Sequence, residues 1–191
     1  LGILYNNGVS FDFENMRYAS VLGRIGLAWM FAALLFMNTR KTGTRVIWFW
    51  GILFFYWLLF ILFKAPDLGD QDHFSMRGNI ASYIDRLLLP GRFCCFEFGD
   101  NEGILAVISA TATGLLGILT GEFLSSKLRP MKKVTYMVVA GIFLLFVGQA
   151  WNLVFPINKI LWSSSFVCWV GGISILLMAL FYLVIDVWKQ M

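Results

Sequence analysis

The sequence predicts an all-α fold: a polytopic integral membrane bundle of five transmembrane helices, with an amphipathic helix in one long outer loop. Three observations lead there. Of 191 residues, 59% are hydrophobic and 14% charged, with a mean hydropathy of +0.76, too little charge to cover a soluble domain of this length. Uncharged runs occupy residues 46–63, 103–121, 134–157 and 160–185, and residues 18–38 are interrupted only by Arg24. A helix needs about 20 apolar residues to cross the hydrocarbon core, where only helices and closed barrels satisfy their backbone. These runs lack the alternation of barrel strands.

The expected spans are about 18–38, 46–63, 103–121, 134–155 and 161–185. In the first, Arg24 is a charge inside a span and so a functional candidate, although near a span end it can also reach the interface. The loop at 39–45 carries Arg40, Lys41 and Arg45; that at 122–133 carries Lys127, Arg129, Lys132 and Lys133; Lys189 follows the last span. Short loops dense in Lys and Arg stay in the cytoplasm. The chain should therefore start outside and end inside, in the inner membrane if the host is a bacterium with two membranes. The opposite side receives nine of the eleven acids: Asp12, Glu14, Asp67, Asp70, Asp72, Asp85, Glu97, Asp100 and Glu102.

Within the outer loop at 64–102, Ile80, Tyr83, Ile84, Leu87 and Leu88 form an apolar helical stripe. Asn79 suits its N-cap and Pro90-Gly91 its stop, with Ser82, Asp85 and Arg86 off the stripe. Such a helix either lies on the bilayer or lids the bundle. The third span repeats small residues at Ser109, Thr113, Gly117 and Gly121, with Ala106, Ala110 and Gly114 alongside, as an interior helix or one beside a ligand channel would. Most of the eight Trp fit interfacial anchors.

Other classes recede. The net charge of +4 is scattered through short loops, which argues against nucleic acid as a partner. Cys94 and Cys95 are adjacent and Cys168 lies in a span, giving neither metal spacing nor a disulfide framework. His73 is the only histidine, and no G-x-S-x-G, P-loop or H-E-x-x-H is present. What stands out is EFGDNEGIL at 97–105, two carboxylates at the edge of an uncharged span.

That stretch resembles the D-P-E-G-[IL]-L signature of the heparan-alpha-glucosaminide N-acetyltransferase-like family of transmembrane acyltransferases. YIDRLLL at 83–89 is similar to the family's Y-I-D-R-L-L-L, and FPINKILWSSSFV at 155–167 to its P-V/I-N-K-x-L-W-[ST]-x-S-[FY]-V. VLGRIGLA at 21–28 resembles V-L-Q-R-[IL], and Val184-Ile185-Asp186 its closing V-[VI]-D. Asn101 stands where the family has proline, and Gly23 where it has glutamine. The family's catalytic histidine belongs to a segment before anything matching Leu1, and further spans follow the part matching Met191. The resemblance thus implies that residues 1–191 are the middle of a single acyltransferase-like domain, inactive alone.

It also implies acetyl-CoA as cosubstrate, no metal, and an amino sugar or glycan acceptor on the outer side of the bilayer; a homo-oligomer is compatible with it. Acetyl transfer to an amine needs a base, oxyanion donors and groups that orient the sugar. The substrate-site candidates are Asp85, Arg86, Asp100, Glu102, Asn158, Lys159, Trp162 and Arg24. The competing reading of Asp85, Arg86, Asp100 and Lys159 is as charge pairs that fasten the loop. The competing functions are a transporter or channel segment, and a non-catalytic membrane domain.

Overall fold

The computed structural model describes residues 1–8, 12, 15–67, 72–94 and 97–188. Glu14, Asp70, Cys95 and Lys189, used in the charge and cysteine readings above, lie outside them. The elements are α1 (Gly2–Asn7), α2 (Val21–Asn38), α3 (Thr42–Leu62), α4 (Ile80–Leu88), α5 (Ala106–Leu124), α6 (Pro130–Trp151) and α7 (Ser164–Tyr182), which runs on into a π-helical turn, Leu183–Val187. Among the described residues no strand occurs, and five helices are long and apolar enough to cross a membrane. The chain is an all-α integral membrane protein.

Successive spans run in opposite directions, so α4 and the α6–α7 connection share one end, and the short α2–α3 and α5–α6 connections share the other. Helix α5 is the axis, packed on α2 and α3 and touching α7. Its Gly114 is so close to α2 that a Cβ there would lie 3.0 Å from that of Ala32. Helix α3 buries Arg45, Phe49, Leu53, Tyr56 and Phe60 on one face, and Tyr56 and Phe60 meet Phe155 of the α6–α7 connection. Helices α6 and α7 form a tight antiparallel pair. At Gly172 a Cβ would stand 2.8 Å from the Gly141 carbonyl, so bare backbone is what permits the contact.

Several expected boundaries move because charges are paired. Helix α3 begins at Thr42, not 46, since Arg45 turns inward to Glu122 of α5. Helix α5 begins at Ala106, not 103, because residues 100–103 are held in a turn by Asp85 and Arg17.

Helix α4 has the predicted cap: Asn79 Oδ1 accepts the Ser82 amide at 2.7 Å. It ends at Leu88, before Pro90, and Gly91 (φ 77°) pairs with Arg17 where a Cβ would strike the Met16 carbonyl. Its most buried face is not the apolar stripe. Ala81, Ser82 and Asp85 are buried, whereas Leu87 and Leu88 are exposed. The polar face has hydrogen-bond partners in the protein; of the rest of the apolar stripe, Ile80 packs against the core, and Tyr83 and Ile84 are half-buried.

The small-residue stripe of α5 is only half an interior contact. Ser109 is buried, but Gly117 and Gly121 are exposed, with open space where a Cβ would sit. Cys168 is buried and free, whereas Cys94 is disulfide-bonded, a bond that its sequence spacing did not suggest.

Candidate functional site

The turn between α4 and α5 exists because α4 supplies acceptors for its amides. Asp85 Oδ1 accepts the Ile104 amide at 3.0 Å, and Oδ2 the Asp100 amide at 3.4 Å. Gly103 lies against that carboxylate with no room for a Cβ. Asp100, thus placed, is 4% exposed and accepts from the amides of Cys94 at 2.8 Å and Glu102 at 2.9 Å.

Arg17, from the segment before α2, reaches both acids. Its Nε and Nη2 donate to Asp100 at 2.9 and 2.6 Å, and Nη2 also to Glu102. Arg24, in the first turn of α2, donates from Nη1 to the Asn101 carbonyl at 3.0 Å and stands 3.6 Å from the other Glu102 oxygen. It neither snorkels nor floats. At 6% exposure its guanidinium lies 4.2 Å over the Trp162 ring.

Trp162 in turn donates from Nε1 to Thr113 Oγ1 at 3.1 Å. Its φ of 51° is the left-handed region that bulky residues avoid. The connection forces it: Asn158 Oδ1 accepts the amides of Ile160 and Leu161, and Ser163 Oγ accepts the Asn158 amide while donating to the Pro156 carbonyl.

Electrostatics divide the carboxylates. Burial would raise the Asp100 carboxyl, but hydrogen bonds from Arg17 and from the Glu102 and Cys94 amides outweigh it and hold the group below the ordinary range. Asp100 is a fixed anion. The same hydrogen bond raises Arg17. Asp85 goes the other way: burial pushes it up to about 6, against the Ile104 and Asp100 amides. It can exchange a proton near neutrality, yet its oxygens face backbone.

Of the sequence candidates, Arg24, Asp100, Glu102 and Trp162 converge, with Asp85 directly beneath. Arg86 does not join them; it pairs with Asp67 at 2.8 Å and donates to the carbonyls of Phe98 and Arg77. Asn158 is spent on its own turn. Lys159 is exposed and makes no ion pair among the described residues. The fastening pairs expected among Asp85, Arg86, Asp100 and Lys159 are not the ones formed. Arg17 was missed, since its acids lie 83 and 85 residues away and nothing local distinguishes it. Also unforeseen is Asn101, whose Oδ1 is buried without a hydrogen-bond partner. A cavity of about 460 Å³ opens beside the cluster between α2 and α5, with Arg24 and Glu102 in its lining. No group of three or more His, Cys, Asp or Glu able to hold a metal occurs among the described residues.

No protein-family model matches the chain. The heparan-alpha-glucosaminide N-acetyltransferase of Mus musculus is 28% identical over 139 residues, which cover 63% of this chain and 21% of that protein. The chain thus spans about a fifth of the length of the curated relative it matches.

Proposed function

We propose that this chain forms the acceptor-binding part of a membrane-bound acyltransferase that moves an acetyl group from acetyl-CoA to an amino sugar. The observation that carries the reading is the four-charge cluster of Arg17, Asp100, Glu102 and Arg24, closed on one side by Trp162 in a strained conformation. Strain and buried charge together are characteristic of sites in which geometry is fixed ahead of binding. The likeness to the mouse enzyme supplies the reaction class.

In this reading Glu102 accepts from the sugar's ammonium and hydroxyls, Arg24 donates to its oxygens, and the indole of Trp162 offers an apolar face. Asp100, a fixed anion bound to Arg17, positions Glu102 without taking the proton. The base that deprotonates the amine belongs to the family's histidine segment, outside this chain. Acetyl-CoA approaches from the other end, where Arg40, Lys41, Lys127, Arg129 and Lys132 are exposed and supply cations for its phosphates. The α4 end then faces outward and the Arg45 end the cytosol, in a bacterial inner membrane if the host has two.

A carrier reading has less support. Carriers usually hold ionisable groups deep in their spans, whereas Arg24 and Arg45 both sit in the first turns of their helices.

Acetyl-CoA-dependent acetylation of glucosamine, measured on this chain and on a complete protein that contains it, tests the assignment. Turnover is expected from the complete protein only; an equal rate from the chain alone would place the base within it. Single cysteines at Thr42, Pro90 and Lys127 in a Cys-less background test orientation. A membrane-impermeant thiol reagent on intact cells should label Pro90 alone, and labelling at Lys127 but not Pro90 would invert the topology.

A further inference from the structure

The cavity between α2 and α5 has two chemically different halves. At the α4 end its lining includes Ser20, Arg24 and Glu102; toward the bundle middle it is Leu27, Phe31 and Ile108. Gly23, Leu27 and Phe31 are four residues apart, so they line one face of α2 over about 12 Å. Leu27, Phe31 and Ile104 are 46%, 44% and 40% exposed, so the apolar half is open along the side of this bundle. Its volume of about 460 Å³ and its mostly apolar wall with a few convergent polar groups suit a small-molecule ligand.

Charge selects the head of that ligand. Arg17 and Arg24 are matched by Asp100 and Glu102, so the mouth has no net charge and no surplus cation for an anionic phosphate. Hydroxyl groups both donate and accept. They can meet Ser20, Arg24 and Glu102 in the lining without displacing an ion pair.

We propose that this cavity seats the apolar chain of a membrane-borne amphiphile with a phosphate-free, hydroxyl-rich amino-sugar head, and so delivers the head to the Arg24–Glu102 mouth from within the bilayer. The substrate class becomes a lipid-linked amino sugar. As a statement about substrate this rests on the acyltransferase reading; as a statement about binding it does not.

The test uses a photoactivatable alkyl glucoside, with the reactive group in its chain, added to the complete protein in phosphatidylcholine liposomes. Labelled peptides are identified by mass spectrometry. Labelling should concentrate on residues 23–31 and 104–108 and be displaced by excess alkyl glucoside but not by phosphatidylglycerol. Filling the cavity with Leu27→Trp, or independently Ile108→Trp, should lower it about tenfold. Met30→Trp, exposed on α2 outside the lining, should leave it unchanged. Labelling spread evenly around α2, indifference to both filling variants, or equal displacement by phosphatidylglycerol would each overturn the proposal. Site-specific labelling without any acetyl transfer would uphold the binding site and remove the acyltransferase reading. Transfer to free glucosamine without cavity labelling would do the reverse.

Discussion

Each end of the bundle buries an arginine near the start of a span, and the two are employed differently. Arg45 of α3 donates to Glu122, to the carbonyls of Phe36 and Thr39 at the end of α2, and to Thr39 Oγ1, while its guanidinium covers the Phe36 ring. Nearly every N–H is spent on ending one helix and joining it to another. Arg24 of α2 makes one hydrogen bond, to Asn101, and a 3.6 Å contact with Glu102. It borders an open cavity. Both ends keep an unpartnered buried acceptor, Glu122 Oε2 at one and Asn101 Oδ1 at the other, so burial and orphaned acceptors do not separate fastening from site. Unspent donors beside a cavity do.

The sharpest way to break this contrast is to remove each arginine. Arg45→Met leaves a largely buried carboxylate and helix-end carbonyls without partners and should cost about 3 kcal/mol, read from thermal unfolding in detergent. Arg24→Met leaves Glu102 still bound by Arg17 and should cost about 1 kcal/mol while reducing sugar acetylation. Equal losses of stability would mean that the two ends are built for the same purpose.

A second experiment separates the two buried acids of the α4 end. Asp85 is raised to about 6 from an ordinary 3.8, so its folded form holds the proton more tightly than the unfolded chain. Its contribution is complete below about pH 4 and lost as pH rises through 6, by up to roughly 3 kcal/mol. Asp100, held low, contributes in the opposite direction and loses its share as pH falls below the ordinary carboxylate range. Between pH 4 and 7 the melting temperature of the native protein should therefore decline relative to that of Asp85→Asn. Parallel curves would show that Asp85 is not destabilised as an anion.

Much of this could be read from residue order, and the failures share a cause. Hydropathy located five spans, and Asn79, Pro90 and Gly91 marked the ends of α4, because caps and breakers act on neighbouring backbone. Boundaries near Arg45 and Gly103 shifted because a charge whose partner lies in another helix behaves as an interior residue. The stripe on α4 identified a helix but not which face meets protein, since Asp85 finds its amides 15 and 19 residues away. Asp100 and Glu102 were legible through their position beside an uncharged span and through motif resemblance. Arg17, which connects them, was not, nor was the use of Asn158 within its own turn, because turn geometry is invisible in a list of residue types.

The central claim, that Asp100 and Glu102 orient an amino sugar, is tested most directly by measuring kcat/KM for acetyl transfer alongside thermal stability. The proteins to compare are Asp100→Asn and Glu102→Gln in a complete protein containing this chain. A carboxylate at the α5 entrance also favours the positive end of that helix by about 0.3–1 kcal/mol, so a small loss of stability accompanies either role. The account predicts at least about a tenfold loss of transfer, about 1.4 kcal/mol, with Glu102→Gln nearly as stable as the native protein. Undiminished transfer with clearly lowered stability in both variants would contradict it and leave the cluster as a clasp between α4 and the bundle.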